Sequence, residues 1–213
     1  MSDERDILAD ASHQLKTPLA ALRLRLEDMS LWHEAGPSLR DELLECVKEV
    51  DRLTGIVEDI LALSRAGEDP EITSVDLSDA AASAVARWRK LFADKERTLR
   101  FHAPPEPVVI TTAPRPLLQV IDVLLENARN HGAGEASVEV LATATHGLLH
   151  VGDEGRLEPA VMDRMFERTY RSATSAGSGI GLALARTIVD ATGGRLRVSN
   201  ADPTCFELSF RLA

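Results

Sequence analysis

Residues 176–194 read AGSGIGLALARTIVDATGG. Gly177, Gly179 and Gly181 stand two apart, and the last leads directly into a stretch of helical apolar spacing, which predicts a helix over Ile180–Thr192. Backbone amides free of side chains at a helix N-terminus make an anion site, favoured by the macrodipole. A dinucleotide turn competes for this reading, but the spacing is not G-x-G-x-x-G and no βαβ run follows. A P-loop is excluded, because no Gly-Lys-Ser/Thr closes the run. Phosphate binding is the better reading.

Two polar clusters lie upstream. VGDEGRLEP (151–159) puts Asp153 at the end of an apolar strand, with Gly155 in the turn after it. A carboxylate there accepts hydrogen bonds and suits an exocyclic amine such as that of adenine. The same Asp-x-Gly pattern is also common in ordinary turns. LLENARNHG (124–132) ends a strong helical pattern over Arg115–Asn130, with Leu117, Leu118, Ile121, Leu124 and Leu125 on one stripe. Asn127 falls where that stripe gives way, and its amide oxygen suits a hard cation such as Mg²⁺. Taken alone, a polar last turn of a helix explains it better.

The segments around these clusters alternate between periods. EITSVDL, TLRFHA, PVVITT, SVEVLATAT, LLHVGD, RLRVSN and CFELSFRL read as strands, with SVEVLATAT and LLHVGD pairing, and Ser78–Phe92 as a helix. A mixed sheet covered by helices on one face, an α/β sandwich over residues 71–213, is the expected architecture. AGEDP (66–70) marks the linker before it.

The first 66 residues follow a different rule. Leu8, Ser12, Leu15, Leu19, Leu22, Leu26 and Met29 alternate steps of four and three, and so do Leu39, Leu43, Cys46, Val50, Leu53, Val57 and Ile60. Gly36 and Pro37 break the pattern, so two helices form an antiparallel hairpin. Two helices cannot enclose seams this wide; a four-helix bundle from two chains can, which predicts a homodimer. The fold class is therefore α+β, with a dimeric helical hairpin ahead of the sandwich. Within SHQLKTPL (12–19), Pro18 removes a helical hydrogen bond to Gln14, a defect of roughly 3 kcal/mol. The expected bend lies one turn beyond His13, which borders the seam and can face solvent.

Bulk properties narrow the function. Of 213 residues, 44% are hydrophobic and 27% charged, an ordinary balance for a globular chain. A formal charge of −10 argues against nucleic acid as the main partner. Cys46 and Cys205 fit no metal spacing and sit among apolar residues, which predicts buried free thiols in a reducing cytoplasm. No apolar run reaches the ~20 residues of a membrane span, so a membrane enters only if a longer parent carries a sensor region.

Taken in order, SHQLKTPL, helix Asn127, strand Asp153-x-Gly155 and the triple-glycine turn resemble the histidine kinases of two-component systems. The second part resembles the ATP-binding domain shared with gyrase-type and Hsp90-type ATPases. The resemblance implies a dimerisation and phosphotransfer domain at 1–66 and an ATP-binding domain at 71–213. It makes His13 the phosphoacceptor, flanked by Gln14 where the family often has an acidic residue. Thr17 takes the position linked to dephosphorylation of the partner response regulator. It further implies Asn127 as the Mg²⁺ ligand, His131 beside the base, Asp153 and Gly155 under the adenine, and Arg168 or Arg171 toward the phosphates. Gly177, Gly179, Gly181 and Leu182 complete the nucleotide set, and Phe166 packs before a short lid. Three positions depart from the pattern: Val123 and Asn130 around Asn127, and Leu157 in place of a second glycine. They leave a second reading open, a non-catalytic or phosphatase-biased dimeric module that binds ATP weakly. A free-standing ATPase is disfavoured, since Val123 cannot activate water.

Overall fold

A computed structural model of the chain describes residues 18–31, 36, 38–47, 49–50, 53–54, 71–162, 164–166 and 181–213. Helix α1 (18–30) and helix α2 (38–47) form the N-terminal part. Arg40 Nε of α2 donates to Ser30 O at 2.9 Å, closing the last turn of α1 against the first turn of α2 as a short hairpin requires. The buried stripe of α2 is Leu43, Val47 and Val50. Cys46 is exposed in the chain, against the expectation of a buried thiol, and Cys205 is half-buried. The i, i+4, i+7 stripe of α2 passes through Val47, which rotates Cys46 to its flank. Leu22, Met29, Leu39 and Leu53 of the predicted seams are exposed in the single chain.

The remaining elements are β1 (Thr73–Asp76), α3 (Leu77–Ala93), β2 (Leu99–His102), β3 (Val109–Thr112), α4 (Pro114–His131), β4 (Ala136–Ala142), β5 (His146–Asp153), α5 (Pro159–Met162), α6 (Gly181–Ala191), β6 (Arg195–Ala201) and β7 (Thr204–Arg211). Five strands form one sheet in the order β2-β4-β5-β7-β6. Among the described residues its only parallel pair is β2 with β4. β1 and β3 make a separate antiparallel pair. The Pro104-Pro105 segment between β2 and β3 therefore crosses from one sheet to the other instead of closing a hairpin.

Register builds the core. Val140, Leu149, Leu208 and Leu196 stand opposite one another across four strands, and Val138, Val151, Phe206 and Val198 make the next row. Strand side chains alternate faces, so both rows point to one side. There they meet Leu77, Ala81, Ala84, Val85 and Phe92 of α3, the Leu117–Ala128 stripe of α4, and Leu184, Ala185, Ile188 and Val189 of α6. Each large side chain buried here contributes about 1.5–3 kcal/mol. That outweighs a weak start to α4, whose N-cap residue Ala113 offers no side-chain hydrogen bond, an omission of about 1 kcal/mol. α3 is better capped: Asp76 accepts from Ser78 N at 2.8 Å and Asp79 N at 3.4 Å.

The opposite side of the sheet carries polar groups. Glu207 accepts from Arg197 Nε at 2.7 Å and Nη2 at 3.0 Å, and its Oε2 lies 3.1 Å from His150 Nε2. The Arg197 hydrogen bond is the main cause holding the Glu207 carboxyl below its ordinary range.

Candidate nucleotide site

Asp153 is the last residue of β5 and pairs with Ala136 of β4. The parity that turns Leu149 and Val151 toward the helices turns Asp153 the same way. Its side chain thus reaches under the end of α4 and is only 7% exposed. Oδ1 accepts from Ala133 N at 3.0 Å and from Gly155 N at 2.6 Å. Oδ2 makes no hydrogen bond among the described residues, which leaves one oxygen to accept from a ligand donor.

Two glycines make this seat possible. A Cβ on Gly132 would lie 2.4 Å from Asp153 Cγ, and one on Gly155 would lie 2.5 Å from Oδ1. Neither distance is attainable, so the carboxylate and these two residues exclude side chains from each other's space. Gly132 has φ −77° and ψ 168°, so it is needed for close approach rather than for a left-handed conformation. Ala133 O also accepts from Glu154 N at 3.0 Å, binding the loop after α4 to the strand end on both sides of one peptide.

The other sequence-predicted residues gather on α4 and α6. Asn127 is half-buried, and its amide makes no hydrogen bond among the described residues. Val123, one turn earlier on the same helix face, has its Cγ1 3.5 Å from where a Cβ of Gly181 would be. Gly181 is the first described residue of α6, and the Asn127 face of α4 borders it through Val123. Leu182 packs its side chain against the core. Among the described residues no group of three or more His, Cys, Asp or Glu could hold a metal. A Mg²⁺ on the Asn127 amide would therefore draw most of its oxygens from phosphates and water, in keeping with its chemistry.

His131 ends α4 and lies at the surface. Partial desolvation, and after it the charge of Lys95, lowers its pKa below the ordinary histidine value. Lys95 Nζ donates to Arg129 O and to Asn130 Oδ1, both at 3.2 Å. A cation from the α3 end thus stands beside Asn130, which itself carries none. Leu157 packs against the core and its N–H donates to Ala201 O at 2.8 Å, so its bulk is directed into the hydrophobic interior. Phe166 packs on the core as expected, with the Arg186 guanidinium carbon 5.3 Å from its ring centroid. His13, Gln14, Thr17, Arg168, Arg171, Gly177 and Gly179 lie outside the described residues.

One contributor went unnoticed in the sequence. Arg97 donates to the carbonyls of Ala128, Arg129, Ala133 and Gly134, all in the segment that seats Asp153. These contacts span 31 to 37 positions, so no local pattern announces them.

Comparison with known proteins identifies the family. Residues 3–69 match the His Kinase A (phospho-acceptor) domain family, and residues 112–213 match the family of histidine kinase-, DNA gyrase B- and HSP90-like ATPases. The probable sensor histidine kinase TcrY of Mycobacterium tuberculosis is 37% identical over 98% of this chain and 45% of its own length. BaeS of Escherichia coli, a signal transduction histidine-protein kinase, is 31% identical over 90% of this chain and 43% of its own. The chain spans about half the length of the curated relatives it matches. Among solved structures, the Acinetobacter baumannii histidine kinase AdeS shares the fold at a TM-score of 0.60 and 20% identity, covering 94% of this chain and 98% of AdeS. Full-length ShkA, solved in complex with AMPPNP, gives 0.66 and 22% over 97% of this chain and 45% of ShkA. With a phospho-acceptor region ahead of an ATPase-type sandwich, the chain belongs to the sensor histidine kinases of two-component systems.

Proposed function

We propose that this chain is an ATP-dependent protein histidine kinase that phosphorylates itself on His13 and passes the phosphoryl group to an aspartate of a response regulator receiver domain. The observation that carries the reading is the half-satisfied Asp153: Oδ1 is fixed by two amides, while Oδ2 is left to accept from an amine. Adenine offers that amine, and the reading assigns Asn127 and Gly181, which border each other through Val123, to the triphosphate. The AMPPNP complex of ShkA supports the same use of the fold.

In the proposed reaction a neutral His13 imidazole nitrogen attacks the γ-phosphorus. The bond to the bridging oxygen of ADP breaks as the P–N bond forms, and the ring proton passes to solvent. An unperturbed histidine is largely neutral at pH 7, so no strong base is required. Gln14 can orient the ring by accepting a hydrogen bond but cannot take its proton. Mg²⁺, held through Asn127 and the phosphates, would neutralise charge on the nucleotide. Residues 1–66 serve dimerisation and transfer, with the exposed seam leucines meeting a second copy, and residues 71–213 hold the nucleotide. Thr17 fits a second role in dephosphorylating the regulator. Dependence on ATP sets the reaction in the cytoplasm.

The core-packed Leu157 removes one argument for a weak-binding module. The test is incubation of the purified chain with γ-labelled ATP and Mg²⁺ beside His13→Ala. Acid-labile label on the wild type and none on the variant is expected. Label that persists on His13→Ala, or steady phosphate release without it, refutes the proposal.

A further inference from the structure

Arg97 is placed by the turn that ends α3. Glu96 takes a left-handed φ of 56°, Arg97 N donates to Phe92 O at 3.0 Å and Glu96 N to Ala93 O at 2.9 Å, a helix-closing motif that fixes the Arg97 backbone. The guanidinium carbon lies 5.4 Å from the centroid of the buried Phe92 ring. From that platform Nε donates to Gly134 O at 2.6 Å, Nη1 to Ala128 O at 2.7 Å and Arg129 O at 3.2 Å, and Nη2 to Ala133 O at 3.0 Å. A planar fork of fixed donors suits such a cluster, and the carbonyls at a helix C-terminus carry partial negative charge that favours a cation.

All four acceptors lie in residues 128–134, the segment whose Ala133 N–H holds Asp153 Oδ1. Arg97 makes no hydrogen bond to Asp153 among the described residues, so any effect on the carboxylate passes through the backbone of Ala133. Arg97 holds the carbonyl oxygen of Ala133 and Asp153 accepts from its amide, so the two contacts grip the peptides on either side of one residue. We infer that Arg97 is a positioning residue for base recognition: it clamps the 128–134 segment so that Oδ1 stays engaged and Oδ2 faces the amine of the base. The inference rests on the proposed reading of Asp153 as the adenine contact.

Calorimetric titration of the full chain with ADP and IDP tests it, because hypoxanthine presents a carbonyl where adenine presents the amine. Wild type is expected to prefer ADP, and Asp153→Asn to lose the preference. Arg97→Gln should reduce the preference roughly tenfold, the weight of one hydrogen bond to a charged group. The double variant should be no less selective than Asp153→Asn alone. If Arg97→Gln melts earlier and weakens both nucleotides equally, Arg97 is a helix cap and the inference is overturned. Should Arg97→Gln not fold, Arg97→Lys decides: an ammonium cannot reach all four carbonyls, so wild-type preference in a folded Arg97→Lys chain also overturns it. Asp153→Asn that still discriminates as wild type sinks the reading of Asp153 itself, a distinct outcome.

Discussion

Replacing Gly132 by alanine probes the seat of Asp153 most directly. The backbone at Gly132, φ −77° and ψ 168°, is one that alanine adopts freely, so the change by itself would favour folding by about 0.4–1 kcal/mol through the unfolded chain. Against that, the new Cβ would lie 2.4 Å from Asp153 Cγ, 2.6 Å from Oδ2 and 2.5 Å from Ala128 O. Ala128 O cannot retreat easily, because Gly132 N at 3.1 Å and Arg97 Nη1 at 2.7 Å both hold it. The carboxylate must therefore move, losing one or both of its amide bonds, each worth about 1.5–3 kcal/mol because the acceptor is charged. The expected net loss is about 0.5–5.5 kcal/mol in urea or thermal melts of the full chain. Nucleotide affinity should fall roughly tenfold or more, since the same displacement removes the proposed amine contact. Gly193→Ala is the control: with φ 76° and nothing within 4 Å of its Cβ, it costs about 1–2 kcal/mol through the backbone alone and leaves affinity untouched. A Gly132→Ala chain that melts and binds as wild type would show that the carboxylate does not occupy the seat described.

Two further outcomes follow from the same neighbourhood. Glu96→Gly relieves a left-handed non-glycine residue and should stabilise the chain by about 1 kcal/mol, visible as a higher melting temperature; a lower one contradicts the turn geometry. His131 should titrate below 6.5 by NMR, and Lys95→Met should raise its midpoint only part of the way, because desolvation is the larger cause. The folded pKa lies below the unfolded one, so the native chain binds fewer protons in that window. This contribution to stability is complete above the unfolded value and is lost as pH falls through the folded one. His131→Gln should flatten that part of the profile, and a His131 midpoint at or above 6.5 refutes the assignment.

The long helices of the sandwich and its strands were legible because each carries a clean period, whereas the four-residue α5 is too short to show one. The apolar stripe read over Arg115–Asn130 became α4 at Pro114–His131, and CFELSFRL became β7 within a residue at either end. Asp153 was legible as a strand-end carboxylate, and the sheet parity that aims it follows from the alternation of LLHVGD. What stayed hidden was nonlocal. Nothing in TLRFHA says that it pairs in parallel with β4 rather than with its neighbour PVVITT, since both are short and similarly patterned. Cys46 is exposed in the single chain because the stripe buried within it runs through Val47, a choice that four-three spacing alone does not make. Arg97 was invisible for the reason that most capping by distant side chains is: its acceptors are backbone carbonyls, which have no sequence.

The link from Arg97 to Ala133 and on to Asp153 joins positions 36 and 20 residues apart, across α3, α4 and β5. No fragment shorter than residues 97–153 contains the whole link, so the proposed competence to bind a base waits until β5 has joined the sheet. Ligand and fold then report on each other: a nucleotide at a hundred times its dissociation constant adds about 2.7 kcal/mol to unfolding. A rise in melting temperature on adding ADP becomes a measure of how intact the whole domain is.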